Sequence, residues 1–344
     1  MSPTHMKNKV LMRDTNIKAL FQAESMTFLE SQPPIVHNLW EELNYLRNRP
    51  LSKQKTEKMT QIDRPVASFS KPERLRNGMG TEITLIFRSS ACSWAASKSG
   101  GCTMCGYWND RADTSISGQN FWNQFQQTIT KYESLLQDPS QATVFKMFTS
   151  GSFCDPKELD LEIQLQILRT LTTFVSVKEI VIESRPEYVQ EKLLDQYKDI
   201  LTTQYLEIGI GLESRSDYIR NNIINKGFTW DQFVRVTDRL HQYGFGVKAY
   251  LIFKPPFLPE YAAMTDLFNS VRACVNLGVD TISINPKNIQ QHTICEVLFT
   301  KNQFRSPWLF SLLWVIKHSF SQEELHSIRL ICDPSAAGKE RGVH

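Results

Sequence analysis

Glu82-Ile-Thr-Leu-Ile-Phe-Arg88 leads within four residues into Cys92-Ser-Trp-Ala-Ala-Ser-Lys-Ser-Gly-Gly-Cys102-Thr-Met-Cys105-Gly-Tyr-Trp108. The first segment is apolar and β-branched, the pattern of a buried strand. The second holds three of the seven cysteines within fourteen residues, spaced C-x9-C-x2-C, with glycines before the second and after the third. Thiols on a glycine-rich loop at the exit of a strand point to a soft-metal site on an α/β scaffold.

The same rhythm continues C-terminally. Apolar strand candidates occupy 83–87, 143–148, 179–182, 205–211, 246–252 and 281–284. Segments with helical periodicity lie between them at 121–136, 157–174, 188–201, 214–224, 230–241 and 261–275. Six strands separated by helices imply parallel βαβ units with right-handed crossovers. The fold class expected is therefore α/β, a partial (β/α)6 TIM-type barrel with its site at the C-terminal ends of the strands. A doubly wound sheet needs a Gly-x-Gly-x-x-Gly turn after a strand, and Gly209-Ile-Gly211 lies inside one. Three regions are expected: an N-terminal helical and basic extension (1–75), the barrel (76–300) and a short C-terminal extension (301–344). The last holds an apolar helix from Trp308, a capping box at Ser321-Gln-Glu-Glu324 and a closing strand near 327–332. Its end at Gly338-Lys-Glu-Arg-Gly-Val-His344 reads as that of a shortened chain.

Each strand exit carries polar or small residues: Ser150, Gly151 and Ser152 after the second, Glu183 and Arg185 after the third, Glu213 after the fourth. Lys254 follows the fifth, and Asn285, Lys287 and Gln290 follow the sixth. This is the composition of a ligand-binding rim, with the strands themselves apolar. Lys254, Asn285, Lys287 and Gln290 are the candidates for substrate contact.

The 344 residues are 41% hydrophobic and 22% charged, as in a globular protein. No signal-peptide core and no bilayer-length apolar run is present, which excludes a membrane partner on this reading. An odd number of cysteines without a secretion signal suits a reducing cytoplasm. The net charge of +3 is unevenly spread. Between Arg47 and Arg76 nine Lys/Arg face three Asp/Glu, a local excess of six, so the rest of the chain is net −3. Such a belt is either a contact for a phosphate backbone or a solvated linker. Before it, 35–46 has helical periodicity; after it, 51–75 reads as an extended, polar connection.

A closed structural zinc site needs four ligands, usually with a second C-x2-C or spaced histidines, and no histidine lies between His37 and His241. Three thiolates alone suit an iron–sulfur cluster with one iron open, to which S-adenosylmethionine can bind. Zinc completed by a distant residue, or three cysteines without a metal, remain open from the residues alone.

The loop and barrel resemble the radical S-adenosylmethionine superfamily, in its branch around the elongator catalytic subunit. Cys92-Ser-Trp…Gly-Gly-Cys102-Thr-Met-Cys105-Gly-Tyr107, Ser150-Gly-Ser-Phe153, Glu183-Ser-Arg-Pro-Glu187, Gly211-Leu-Glu-Ser214, Lys254-Pro-Pro-Phe-Leu258 and Ser283-Ile-Asn-Pro286 are together similar to the RaSEA family, the radical subunits of archaeosine synthases. The resemblance spans about residues 75–340. It implies that Cys92, Cys102 and Cys105 each ligate one iron of a [4Fe–4S] cluster, whose fourth iron chelates the amino and carboxylate groups of S-adenosylmethionine. It further implies that Ser150-Gly151-Ser152 stands where the superfamily has Gly-Gly-Glu, without the acid, and that Glu183, Arg185 and Glu213 meet the cofactor's ribose and methionine. Met104 stands where an aromatic residue often precedes the last cysteine; Tyr107 or Trp108 would take its place near adenine. The implied substrate is tRNA whose D-loop carries a preQ0 base joined to lysine by a partner, the lysine-adding α subunit of archaeosine synthase. An electron donor starts a C–N cleavage that leaves archaeosine. A radical enzyme acting on another base or a small molecule is the alternative within the class, and a zinc- or cluster-stabilised tRNA-binding protein without catalysis is the alternative outside it. An elongator-type acetyltransferase is disfavoured, because too little chain follows the barrel.

Overall fold

The computed structural model describes residues 40–50, 52–334 and 336–344. The expectations for 1–39, including the first turn of the 35–46 helix, lie outside the described residues. Helices α1 (Trp40–Arg47) and α2 (Lys53–Met59) precede strands β1 (Ala67–Leu75) and β2 (Gly78–Ile86). There follow α3 (Ser93–Ala96), α4 (Gly118–Lys131), α5 (Glu133–Gln137), β3 (Thr143–Phe148), α6 (Leu161–Thr172), β4 (Val177–Ser184), α7 (Glu191–Ile200) and β5 (Tyr205–Glu213). The chain continues through α8 (Trp230–Gln242), β6 (Gly246–Phe253), α9 (Glu260–Leu277), β7 (Thr281–Pro286), α10 (Ile294–Thr300), α11 (Leu309–Ser319), α12 (Glu324–Ser327) and β8 (Arg329–Ile331).

All eight strands join one sheet in chain order, β1 antiparallel to β2 and each later strand parallel to the one before it. This is the partial TIM-type barrel, with the six expected strands as β2–β7. Two edge strands frame them. The short β8 fulfils the expectation of a strand near 327–332. β1 replaces part of what reads as an extended connection: Ala67 pairs with Ile86 and Leu75 with Gly78 across a tight hairpin. Pro72 sits in it without conflict, because an edge strand has no second ladder to supply. The 214–224 helix is a π-helical turn over Ile219–Ile223, and 121–136 splits at Tyr132 into α4 and α5. The capping box forms: Ser321 Oγ accepts from Glu324 N–H at 3.2 Å, and Glu324 Oε2 accepts from Ser321 N–H at 2.8 Å.

The strands alternate cleanly between two environments. Ile83, Leu85, Phe145, Met147, Ile180, Ile182, Ile208, Ile210, Val247, Ala249, Ile282 and Ile284 belong to the main apolar core beneath the surrounding helices. The residues between them face the lumen, and many are polar, which corrects the expectation of apolar strands. Near the strands' N-terminal ends Lys146 contacts Glu82 and, at 3.2 Å, Glu73. Arg329 meets Glu179 at 2.9 Å and Glu207 at 3.2 Å, while Thr281 Oγ1 donates to Glu207 Oε1 at 2.5 Å. Arg329 also donates to the carbonyl of Arg74 at 3.1 Å, and Lys71 pairs with Asp333 at 2.6 Å. The two sheet edges are thus tied together at this end. A charged floor closes the half-barrel below and leaves it open above.

Candidate active site

Above the floor, at the C-terminal ends of the strands, lies a cavity of about 280 Å³. Its lining includes Cys92, Cys102 and Cys105, together with Ser150 and Gly151 from the β3 exit, Glu183 and Arg185 from β4, Glu213 from β5, and Asn285, Lys287 and Gln290 from β7. Ser152 and Lys254 are the two expected residues that do not line it. Ser152 is fully buried; its N–H donates to Glu158 Oε2 at 2.7 Å and its Oγ accepts from Arg185 N–H at 3.2 Å. Lys254 has a positive φ of 66°, which turns its ammonium toward Glu260 at the start of α9, 2.8 Å away. There it lines a separate groove with Phe299 and Phe304.

The cysteine loop is clamped from four directions. Glu158 Oε1 accepts from Ser93 N–H at 2.7 Å, so one carboxylate joins this loop to the β3 exit. A Cβ at position 151 would stand 1.9 Å from Glu158 Oε2, which fixes the glycine. Asn225, held at φ 62°, donates to the carbonyls of Ser99 and Gly101 at 2.7 and 2.8 Å. Lys287 Nζ donates to Met104 O at 2.7 Å, and Gln290 Oε1 accepts from Gly106 N–H at 2.8 Å. From outside the barrel, Arg47 at the end of α1 donates to Ala95 O at 3.1 Å and Cys102 O at 3.4 Å. Lys287 and Gln290 therefore position the loop, whatever else they touch.

Deeper in, β5 carries a bulge: Ile210 pairs with Ala249, but Glu213 pairs with Leu251. The bulge and a φ of 65° at Glu213 aim its carboxylate at Lys226, 2.8 Å away. Burial opposes charge on Lys226, but Glu213 beside it prevails and holds the ammonium above its usual range. Gly209 and Gly211 make the room: Cβ atoms there would meet the Tyr250 ring at 2.7 Å and Lys226 Nζ at 2.4 Å. Glu183 faces this group, and burial raises its carboxyl pKa despite the nearby Lys248 and Lys226. Arg185 stacks on Trp94 at 4.5 Å and donates to Lys226 O at 2.8 Å and Glu187 Oε1 at 2.5 Å.

The donor set suits an iron–sulfur cluster. Three thiols face one cavity with no histidine among them. Burial, and then Glu158, raise the Cys92 thiol to about 12; burial raises the Cys105 thiol as well, and the neighbouring cysteines add to both shifts. Burial and mutual repulsion disfavour bare thiolates here, whereas metal binding displaces the protons. Among the described residues no three Cys, His, Asp or Glu side chains stand in ready-made coordinating geometry; the thiols share a cavity without being drawn together.

Sequence reasoning missed Arg47, Glu158, Lys226, Asn225 and Tyr250. Only Asn225-Lys226-Gly227, a turn-like tripeptide, carried a local signal.

Compared with known proteins, the chain is 38% identical over 288 residues to archaeosine synthase subunit beta of Methanosarcina acetivorans, covering 83% of this chain and 80% of that one. It is 33% identical over 265 residues to the protein of the same name from Thermococcus kodakarensis, covering 77% and 79%. The chain belongs to the archaeosine synthase subunit beta family. An uncharacterised protein of Methanocaldococcus jannaschii is 36% identical over 308 residues, covering 89% of this chain and 82% of that one. No protein-family model matches. Among solved structures, methylornithine synthase (PylB) is similar with a TM-score of 0.47 and 12% identity, covering 92% of this chain and 88% of that one. Elp3 of Methanocaldococcus infernus has a TM-score of 0.45 and 14% identity, covering 62% and 54%. For this member of the family, no helix among the described residues is long and apolar enough to cross a membrane.

Proposed function

We propose that this chain is the radical S-adenosylmethionine subunit of an archaeosine synthase, acting on tRNA whose D-loop carries a lysine-preQ0 adduct. What carries the reading is three thiols facing one cavity at the strand exits, in a chain 38% identical to an archaeosine synthase subunit beta. Its partners would be tRNA, the lysine-adding α subunit and an electron donor.

Cys92, Cys102 and Cys105 would hold a [4Fe–4S] cluster, with Glu183, Arg185 and Glu213 toward S-adenosylmethionine and the amides of Ser150 and Gly151 toward its methionine. When bound, the cluster and S-adenosylmethionine would supply, with one electron from the donor, hydrogen-atom abstraction from the lysine carbon next to the linking nitrogen, which leads to C–N cleavage. The chain's own work is positioning and exclusion of water. Glu158, Asn225, Lys287 and Gln290 hold the loop. Gly209 and Gly211 let the Tyr250 ring and the Lys226 ammonium lie close against β5. Asn285 and Lys287 offer polar contacts to a base turned out of the tRNA, as enzymes that modify bases require. Lys254, outside the cavity, would serve the substrate only along the rim.

Anaerobic reconstitution with iron and sulfide, then reduction with S-adenosylmethionine, should yield 5′-deoxyadenosine, and Cys105→Ala should abolish it. Tight zinc binding without deoxyadenosine would end the radical reading. Cofactor cleavage with no change in lysine-preQ0-tRNA would end the archaeosine assignment alone.

A further inference from the structure

We infer that Arg47, carried by the helix ahead of the barrel, is a positioning residue for the cluster loop whose charge makes the cluster easier to reduce. The inference rests on the reading of Cys92, Cys102 and Cys105 as cluster ligands. It begins from an anomaly. Arg47 belongs by sequence to the basic belt expected to face solvent or phosphate, yet it is 6% exposed and lines the cysteine cavity. A long cation is not buried without partners that compensate for its lost hydration.

Its partners are all in the cysteine loop. The guanidinium bridges Ala95 O, within the nine-residue gap between the first two cysteines, and Cys102 O, on the cysteine that closes it. Gly101 is fitted to it, since a Cβ there would lie 2.7 Å from Arg47 Nη2. Trp108 completes the socket. Its indole N–H donates to Arg47 O at 3.3 Å, and its ring lies 5.4 Å from the guanidinium.

Arg47 differs from Lys226 but resembles Lys287, which also lines the cavity and bonds a loop carbonyl, that of Met104, at 2.7 Å. Lys226 is matched by Glu213 at 2.8 Å. Arg47 forms no ion pair with a carboxylate of the described residues; its guanidinium meets only the Ala95 and Cys102 carbonyls and the Trp108 ring. A guanidinium stays charged under such conditions. Its positive charge therefore lies at the cavity that the three cysteines line. Reduction adds one negative charge to a cluster already net negative with three thiolates, and a fixed cation in a poorly solvated site favours the reduced form. Net charge and hydrogen bonding around the sulfurs are recognised levers on such potentials.

Two substitutions separate charge from scaffolding. Arg47→Gln keeps an amide that can donate to a loop carbonyl and removes the charge; Arg47→Lys keeps the charge and loses the two-armed fork. Each protein is reconstituted, its iron and sulfide counted, and its cluster titrated by EPR against redox mediators without S-adenosylmethionine. The expected result is a midpoint in Arg47→Gln lower than wild type, with the reduced-to-oxidised ratio down at least threefold at a given potential, about 30 mV for a one-electron couple. Arg47→Lys should lie nearer the wild type. An Arg47→Gln chain that takes up no cluster, beside an Arg47→Lys chain that does at the wild-type midpoint, also supports the role of charge. Equal midpoints in all three proteins overturn the inference and leave the site reading intact, as does loss of the cluster in both variants, which marks a purely structural residue. Failure of the wild type to take up any cluster removes both.

Discussion

At the residue scale, Glu158 shows how one carboxylate sets the geometry of the site. Its two oxygens accept from Ser93 and Ser152, the first following a cysteine and the second closing the Ser150-Gly151-Ser152 turn. Burial raises its pKa although both amide bonds favour the anion. Glu158→Gln keeps the shape but turns one acceptor into a donor facing an N–H. A charge-assisted bond is worth about 1.5–3 kcal/mol, so urea unfolding should show a loss of that order and reconstituted protein should hold less iron per chain. A variant matching the wild type in both would mean that the loop is held without Glu158. The contrast with the cysteines explains what the sequence made legible. Cys92, Cys102 and Cys105 announce themselves because metal chemistry demands a fixed residue type at short spacing. Glu158 lies 65 residues from Ser93 in a helical-looking stretch, where an acid is unremarkable. Arg47 lies 55 residues from Cys102 within a run of charges. Only the packing of remote segments distinguishes such side chains from solvated ones.

At the element scale, β2–β7 stand out in the sequence as apolar strands because of their outward half, the residues that meet the helices. The inward half gives a floor of charges below and the cysteine-lined cavity above, and its polar residues carry no strand signal of their own. β1 went unread for a related reason: Lys71, Glu73 and Arg74 around Pro72 resemble a linker, whereas an edge strand tolerates both charge and proline. The floor makes two predictions. Arg329→Met leaves Glu179 and Glu207 buried without their common partner, and breaking a buried pair costs about 3–5 kcal/mol. Urea unfolding should lose that much, more than for the half-buried Lys71→Met. The second concerns Lys248, which burial lowers to about 8. Its folded pKa lies below the unfolded value near 10.4, so between pH 8 and about 10 the unfolded chain binds more protons, and stability rises with pH by up to about 1.4 kcal/mol per unit from this group. Relative to Lys248→Met, the wild type should therefore gain stability across pH 8–10 in urea titrations. A difference independent of pH would mean that Lys248 is not a strained cation.

For the whole molecule, the antiparallel course of β1 divides the basic belt. Ala67 pairs with Ile86 at the open end of the half-barrel and Leu75 with Gly78 at the floor. Of the described belt residues before 67, Arg47 lies in the cysteine pocket and Lys58 beside Arg88 and Asp110, on the cavity side. Lys71, Arg74 and Arg76 are drawn to the opposite end, where Lys71 pairs with Asp333 and the Arg76 guanidinium stacks on Tyr205 at 3.7 Å. If tRNA approaches the mouth, only the first group can neutralise its phosphates while a base enters the cavity. Each phosphate contact removed lowers the slope of log K against log salt by about 0.7–0.9. Replacing exposed Arg49, Lys53 and Lys58 with Gln should flatten the salt dependence of tRNA binding by about two units, and replacing Lys71 and Arg74 should leave it unchanged. Equal flattening by both sets would instead lay the tRNA along the flank of the barrel from mouth to floor.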